Sequence, residues 1–229
     1  MPLETKLSTK AHYLIAPSLL SANVLRLEEE VNALIQAGAD LIHFDVMDNH
    51  YVPNLTFGPL FCAALHQRYL TINLDVHLMA TPVDPLIIQF AEAGATRISI
   101  HPDATIHLHR SLALIREHSC AAGLVLNPAT SPHCLSWCSH QLDFVLVMTV
   151  NPGFAGQTLI KNVIPKIKWI KEHFPDLAIC VDGGVHVDNI RTLAQAGATQ
   201  FVAGSAIFST TNYQKTILQL RTQLEPKTE

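Results

Sequence analysis

The sequence lacks an apolar run of the ~20 residues that a helix needs to cross a membrane. Residues 1–10 are polar and have no apolar signal core. The chain also has no basic run and no interleaving of basic with aromatic residues, and its net charge is −4. We therefore expect a cytoplasmic protein that acts without a membrane or a nucleic acid as its partner.

Cysteine is scarce and unevenly placed. The chain has five cysteines, an odd and scattered set that indicates reduced thiols rather than a disulfide framework. Cys134 and Cys138 lie beside His133, but no second ligand pair follows. We therefore interpret these residues as ordinary packing rather than a zinc site.

Two further absences restrict the chemistry. No lysine lies in a predicted strand, since the lysines are at 6, 10, 161, 166, 168, 171, 215 and 227. A Schiff-base mechanism therefore has no candidate amine. No early G-x-G-x-x-G motif is present either, so nothing indicates hydride transfer with a dinucleotide.

What the sequence has in abundance is alternating strand and helix patterns. Hydrophobic residues make up 48 % of the 229 positions, which is enough for a sizeable core. The predicted strands are 13–18, 41–48, 74–79, 97–101, 122–126, 144–148, 178–182 and 200–203. The predicted helices are 24–37, 60–68, 83–93, 105–119, 159–173, 188–196 and 211–223, with Asp188 as the N-cap of helix 188–196, and residues 131–139 are predicted as a short helix or turn.

This alternation demands parallel strands joined by right-handed crossovers. A weak repeat supports it, because Gly38, Gly94 and Gly197 each stand in an Ala-Gly-Ala motif between a helix and a strand. We predict an α/β fold, a (β/α)8 TIM barrel over residues 12–225, after an N-terminal tail at 1–11. An open doubly wound sheet is the alternative.

Ionisable residues collect where the predicted strands end. His43 and Asp45 share one face of the second strand by alternation, His77 lies on the third strand, and Asp182 ends the seventh. One such strand alone is compatible with a polar, solvent-facing surface. Four groups at one end of a barrel instead predict a site for a divalent metal ion with imidazole and carboxylate ligands.

Two neighbouring residues have open interpretations. Asp75 points the same way as His77, one layer deeper, and either fixes a histidine tautomer or serves as a capping or helix-contacting carboxylate. His101, followed by Pro102 and Asp103, either lines the pocket or is a local turn residue, and we favour the turn.

Glycine-containing segments follow three late strands. They are Asn151–Gln157, Gly183-Gly184 and Gly204-Ser205. Glycines let backbone N–H groups approach an anion closely, and barrels commonly bind phosphate near strands seven and eight. Beside a metal cluster, these segments favour a phosphorylated substrate.

Two carboxylates that face each other across a metal suit proton removal next to a carbonyl. A metal stabilises the enediolate, one carboxylate removes a proton from one face, and the other returns a proton to the opposite face. The result is inversion, the reaction of an epimerase. A metal-dependent lyase could use similar groups.

At these residues the sequence resembles the ribulose-phosphate 3-epimerase family. The resemblance runs from about Ala16 to Phe208. The motifs that carry it are Ala16–Leu20, His43–Asp48, Val52–Asn54, Asp75–Met79, Asn127–Thr130, Val150–Gln157 and Val181–Val185. It implies a barrel of the ribulose-phosphate-binding type, interconversion of D-ribulose 5-phosphate and D-xylulose 5-phosphate, and the pentose phosphate pathway.

The resemblance also implies roles for individual residues. His43, Asp45, His77 and Asp182 would be metal ligands, and Asp45 and Asp182 the acid/base pair. The implied substrate contacts are Ser18, Met47, His77, Met79, Met148, Gly153, Phe154, Ala155, Gly156, Asp182, Gly183, Gly184, Gly204 and Ser205. The family commonly uses Zn²⁺, with Fe²⁺, Mn²⁺ or Co²⁺ as alternatives. We also expect a homo-oligomer.

Three positions depart from the family pattern. Ala155 replaces a usual glycine, which would strain the phosphate loop if the position needed positive φ. Asn49 also replaces a glycine, and Asp103 replaces a glutamate.

Two rival functions are an epimerase of a six-carbon ketose phosphate, such as D-allulose 6-phosphate, and a non-catalytic sugar-phosphate-binding barrel. A third, a decarboxylase resembling the orotidine-phosphate decarboxylase group, would need a strand lysine that is absent. The intact set of four ligands disfavours the non-catalytic barrel.

Overall fold

The computed structural model describes residues 13–225, which contain eight β-strands and eight α-helices. The strands are β1 Leu14–Pro17, β2 Leu41–Met47, β3 Asn73–Met79, β4 Arg97–Ile100, β5 Ala121–Leu126, β6 Phe144–Met148, β7 Ala178–Asp182 and β8 Gln200–Ala203. The helices are α1 Leu27–Gln36, α2 Pro59–Arg68, α3 Asp84–Glu92, α4 Leu108–Glu117, α5 Ile164–His173, α6 Ile190–Gln195, α7 Ser205–Phe208 and α8 Tyr213–Leu224.

All neighbouring strands pair in parallel, in the order β1-β8-β7-β6-β5-β4-β3-β2. An isolated parallel bridge between Ser18 and His43 joins the ends of β1 and β2, so the sheet curls into a nearly closed barrel. The predicted (β/α)8 barrel is confirmed, and the open doubly wound sheet was the wrong alternative.

Alternation along the strands separates two hydrophobic clusters. Residues such as Phe44 and Val76 point outward and pack beneath the helices. Residues such as Leu146 and Cys180 point inward and fill the barrel. In β2 and β3, Asp45 lies opposite His77, which places these two side chains in one layer of the interior.

The strands agree with the predictions to within a residue or two, but several helices differ. Residues 131–139, predicted as a short helix or turn, form two 3₁₀ segments, Pro132–Trp137 and Ser139–Gln141. Helix α5 begins at Ile164 instead of 159, after a 3₁₀ turn at Lys161–Val163, and a proline stands in its first turn.

Two further differences from the predictions concern the N-cap of α6 and the presence of α7. Asp188 is not the N-cap of α6, because Asn189 occupies that position and the Asp188 side chain lies 3.5 Å from His186. Helix α7 was not predicted, since its four residues are too few to show a helical period.

The predicted tail at 1–11 lies outside the described residues. None of the helices within residues 13–225 combines the length and the hydropathy that a membrane span requires.

Candidate active site

Four ionisable side chains meet at the carboxyl ends of the strands. Strand β2 supplies His43 and Asp45, β3 supplies His77, and β7 supplies Asp182. All four are buried, and one potential ligand atom from each lies within 4.8 Å of the others. The convergence expected from the sequence is therefore present.

The cluster surrounds one point with two nitrogens and two oxygens. Asp45 Oδ1 lies 3.4 Å from His77 Nδ1 and 3.6 Å from His43 Nε2. Asp182 Oδ2 lies 3.9 and 3.8 Å from the same two nitrogens. Metal–ligand bonds of about 2.0–2.2 Å in a tetrahedral site would separate ligand atoms by roughly 3.3–3.6 Å.

Both of these imidazole nitrogens are buried without a hydrogen-bond partner among the described residues. Buried polar atoms are normally paired, and an unpaired one calls for a ligand or an ion. The residues present therefore fit a divalent metal ion held by two imidazoles and two carboxylates.

His43 is oriented from behind by Asp75. Asp75 Oδ2 accepts a hydrogen bond from His43 Nδ1 at 2.9 Å, which leaves the Nε2 lone pair facing the cluster. Burial would raise the pKa of Asp75, but Arg97 and His43 lower it, so this carboxyl is ionised. The structure thus favours the tautomer-fixing interpretation of Asp75.

His77 has a different partner. Its Nε2 lies 2.8 Å from His101 Nε2, so its Nδ1 faces the cluster. His101 is fully buried, and only its backbone takes part in a turn, where its carbonyl accepts from Ala104 N. The turn interpretation of His101 therefore accounts for the backbone and misses the contact of the side chain.

The surroundings drive the pKa values of the two cluster carboxyl groups apart in the metal-free protein. Burial, and then the nearby Asp45 carboxylate, raise the pKa of Asp182 to about 7. Burial would also raise the pKa of Asp45, but His43 and His77 outweigh it and lower that pKa. Two carboxyl groups whose pKa values are driven apart are suited to acid and base roles.

The histidines complete this pattern. Burial alone would lower the pKa of His43, but the Asp45 and Asp75 carboxylates raise it well above its ordinary value. Burial lowers the pKa of His77, which is therefore neutral near pH 7.

A cavity opens above the cluster and collects most of the residues expected to contact substrate. These are Ser18, Met47, Met79, Met148, Gly153, Phe154, Ala155, Gly156, Asp182, Gly183, Gly184, Gly204 and Ser205, and Asp45 also lines the cavity. His43 and His77 lie beneath the cavity rather than in its lining. Ser18 Oγ donates to Asp45 Oδ2 at 2.5 Å, which ties β1 to the cluster.

The sequence interpretation missed Ser21 and Gln157, which also line the cavity. Gln157 is the last residue of the glycine-containing segment Asn151–Gln157, and this position is the sequence signal for it. Ser21 ends the 3₁₀ turn that follows β1. The only feature of the sequence that points to it is a polar residue shortly after a strand.

The glycines near strands six and seven have backbones that other residues adopt with difficulty. Gly153, Gly156, Gly183 and Gly184 all have positive φ. At Gly184 a Cβ would lie 2.6 Å from the backbone nitrogen of Leu159. The loops can therefore bring backbone N–H groups close to a bound anion.

The structure shows the backbone conformation or the contacts of the three residues that depart from the family pattern. Ala155 is not among the described residues with positive φ, so alanine causes no strain there. Asn49 has φ of 61°, a left-handed conformation that asparagine tolerates. Asp103 Oδ1 accepts a hydrogen bond from the Tyr51 hydroxyl at 2.8 Å.

Comparison with known proteins identifies the family. A sequence model described as "Ribulose-phosphate 3 epimerase family" matches residues 14–208. The chain belongs to the ribulose-phosphate 3-epimerase family.

Two relatives named ribulose-phosphate 3-epimerase illustrate the similarity. The protein from Serratia marcescens is 50 % identical over 207 residues, covering 89 % of this chain and 99 % of the relative. The protein from Escherichia coli K12 is 49 % identical over 216 residues, covering 93 % and 96 %. The predicted family and the prediction of an enzyme of this epimerase type are confirmed.

Solved structures support the fold alone. The 3-hexulose-6-phosphate synthase from Salmonella typhimurium superimposes with a TM-score of 0.73 at 15 % identity, covering 92 % of this chain and 98 % of that one. Membership of the epimerase family implies a phosphorylated sugar as the substrate.

Proposed function

We propose that this epimerase interconverts D-ribulose 5-phosphate and D-xylulose 5-phosphate, with one divalent metal ion, by inversion at C3. The observation that carries the proposal is the pair Asp45 and Asp182. These carboxyl groups come from β2 and β7 and flank two buried imidazole nitrogens that have no hydrogen-bond partner within residues 13–225.

The metal would be held by His43 Nε2, His77 Nδ1, Asp45 Oδ1 and Asp182 Oδ2. When bound, the ion would polarise the ketose carbonyl and stabilise negative charge beside it. Two imidazoles with two carboxylates suit Zn²⁺ first, with Fe²⁺, Mn²⁺ or Co²⁺ as alternatives.

The two carboxylates would move the proton. One removes the C3 proton from one face of the substrate, and the other delivers a proton to the opposite face. Asp182 Oδ2 faces the imidazole nitrogens, which leaves Oδ1 to carry the proton. Asp45 is held by the Ser18 hydroxyl and is ionised, so it is prepared to act as the base.

The surroundings would orient the substrate and exclude water. Met47, Met79 and Met148 are almost fully buried and give the cavity an apolar wall next to the carboxylates. The positive-φ glycines and Ser205 would bind the phosphate through backbone N–H groups. Phosphate binding far from C3 would fix the reacting carbon between the two carboxylates.

The remaining proposals concern the pathway, the compartment and the oligomeric state. We infer that it serves the pentose phosphate pathway in the cytoplasm. The five cysteines are all unpaired, as expected in a reducing compartment. A homo-oligomer stays a prediction.

The test compares two substrates. The metal-loaded enzyme should turn over D-ribulose 5-phosphate with a kcat/KM at least about tenfold above that for D-allulose 6-phosphate, a difference of ~1.4 kcal/mol in transition-state binding. Removing the metal with a chelator should abolish both activities. The proposal fails if the six-carbon ketose phosphate is the better substrate, or if activity survives complete metal removal.

A further inference from the structure

A buried arginine lies inside the barrel, one layer below the metal cluster. Arg97 begins β4, points inward and is only 9 % exposed. Its Nε lies 3.2 Å from Asp75 Oδ1, an ion pair that lacks the alignment of a hydrogen bond. Its Nη2 donates to Gln200 Oε1 at 2.8 Å.

Residues from three further strands, β5, β6 and β8, form the surroundings of this arginine. The guanidinium carbon lies 3.9 Å from the ring centroid of Phe144 on β6, a cation–π contact. Gly123 on β5 makes room for that ring, since a Cβ there would lie 2.4 Å from Phe144 Cζ. Gln200 on β8 is itself 9 % exposed. The guanidinium group is therefore enclosed by side chains from β3, β6 and β8.

The arginine connects to the metal cluster through one carboxylate. Asp75 uses Oδ1 for Arg97 and Oδ2 for His43 Nδ1. The opposite ring nitrogen, His43 Nε2, faces Asp45 and Asp182. Rotation of Asp75 would break both contacts, so the guanidinium fixes the carboxylate that orients the imidazole.

A count of buried charges separates the effect of the arginine's charge from its effect on orientation. The interior holds three carboxylates, Asp45, Asp75 and Asp182, and one guanidinium. Arg97 cancels Asp75, so with both histidines neutral the remaining charge is −2. A single divalent cation balances that charge. Without the arginine a third negative charge would attract the cation, so the loss of affinity expected for an Arg97 variant comes from the lost orientation of Asp75 and not from the charge.

We propose that Arg97 is a positioning residue for the candidate metal centre. It holds Asp75 so that His43 Nε2 faces the ion, and it cancels the one carboxylate that does not coordinate. The inference rests on the proposed metal-dependent function. Arg97 touches neither the substrate cavity nor the four ligand atoms.

A purely structural role makes a different prediction. Removing one partner of a buried ion pair leaves the other charge uncompensated and destabilises the fold. An arginine that only filled space would therefore change the unfolding temperature and leave the affinity for metal unchanged.

The experiment measures Zn²⁺ affinity by competition with a chromophoric chelator, and the absorption spectrum of the Co²⁺-loaded protein. Arg97→Met should weaken Zn²⁺ binding about tenfold to a hundredfold, the usual effect of losing a partner behind a metal ligand, and should alter the Co²⁺ spectrum. Arg97→Lys keeps the charge and should stay within about threefold of wild type.

Asp75→Asn provides the second arm. This variant should bind Zn²⁺ about tenfold or more weakly, and adding Arg97→Met should cause no further loss, because the arginine acts through Asp75. The matched control is Arg221→Met, which removes an arginine paired with Asp40 at 2.8 Å outside the site. The control should bind Zn²⁺ like wild type.

Each outcome decides the question. Unchanged affinity and an unchanged Co²⁺ spectrum in folded Arg97→Met would overturn the proposal, as would multiplicative losses in the double variant. If Arg97→Met does not fold, Arg97→Gln takes its place, because it removes the charge and keeps a hydrogen-bonding side chain; the same loss of Zn²⁺ affinity is expected, and unchanged affinity would overturn the proposal. A wild-type protein that binds no metal would instead refute the proposed function itself.

Discussion

Asp45 and Asp182 are the same side chain in different surroundings, and the difference gives each a separate role. Asp45 accepts from Ser18 and faces both imidazoles, which favours its ionised form. Asp182 is buried beside that negative charge, which favours its protonated form. In the metal-free protein the pair therefore combines one carboxyl group of low proton affinity with one of high proton affinity.

Replacing Asp182 tests this division. Asp182→Asn cannot donate a carboxyl proton, so we expect turnover to fall by about a hundredfold or more and exchange of the C3 proton with solvent to disappear. Asp188→Asn is the matched control, because that side chain is exposed and lies outside the cavity. Wild-type exchange in Asp182→Asn would remove Asp182 from its proposed role.

The affinity for metal should depend on pH. The ion needs the ionised form of Asp182, whose pKa is about 7 without metal, so below pH 7 a proton must leave before the ion binds. His43, with its raised pKa, must also lose a proton. We expect Zn²⁺ affinity to rise by about tenfold per pH unit for each displaced proton between pH 6 and 7.

Chelator competition at pH 6, 7 and 8 measures this dependence. Asp182→Asn has no carboxyl proton to lose, so its affinity should be lower and less dependent on pH. An affinity for Zn²⁺ that stays constant from pH 6 to 8 in the wild type would contradict the protonation states assigned to the cluster.

At the residue scale, the members of the buried His/Asp cluster were easier to predict from the sequence than the groups behind them. His43, Asp45 and His77 stand out because alternation places ionisable residues on the inner face of apolar strands. Arg97 does not stand out, since a charged residue at the start of a strand looks like a solvated end. Its role depends on Asp75, Phe144 and Gln200, which come from three other strands.

We expect the loops to be the elements that adapt the barrel to its substrate. Strand ends fix the carboxylates, while glycine loops after β6 and β7 form the opposite wall of the cavity. Their positive φ values leave little tolerance for a side chain. Loop geometry should therefore govern binding of the phosphate more than the proton transfer.

A pair of alanine substitutions tests the phosphate loop. Gly184→Ala places a Cβ 2.6 Å from Leu159 N at a φ of 64°, so the backbone must shift. We expect KM for the sugar phosphate to rise about tenfold, with a smaller change in kcat, since weaker uniform binding affects KM first. Gly58→Ala, which meets no atom within 4 Å, should keep wild-type kinetics. Unchanged KM in Gly184→Ala would exclude this loop from substrate binding.

The strands were easier to predict than the helices. Buried parallel strands are short apolar runs with clear ends, so β6 and β7 match the prediction residue for residue. Helix starts depend on caps and 3₁₀ turns, which local composition specifies weakly. Helix α5 shows this, because a 3₁₀ turn at Lys161–Val163 precedes its start at Ile164, where the helix was expected to begin at 159.

At the scale of the whole molecule, the candidate metal centre joins distant parts of the sheet. Strands β2 and β3 are neighbours, but β7 is separated from β2 by β8 and β1 in the barrel order. An ion bound to all three strands would cross-link the barrel where β1 and β2 are joined by a single bridge. Metal should therefore stabilise the entire fold.

Thermal unfolding measures this stabilisation. At a free Zn²⁺ concentration of 100 times Kd, binding to the native state alone adds about 2.7 kcal/mol. For a chain of this size, that corresponds to a rise in Tm of roughly 5–10 °C. His43→Asn, which lacks the imidazole lone pair, should show a much smaller rise. Equal Tm values with Zn²⁺ and with a chelator would argue against a metal bridging the three strands.

The most direct measurement is ²H incorporation from D₂O into D-ribulose 5-phosphate, followed by NMR in the metal-loaded and chelator-treated enzyme. Transfer between two carboxylates on opposite faces of C3 predicts deuterium at C3, formation of D-xylulose 5-phosphate, and loss of both on removal of the metal. Epimerisation without deuterium at C3, or full exchange in the metal-free enzyme, would contradict the mechanism.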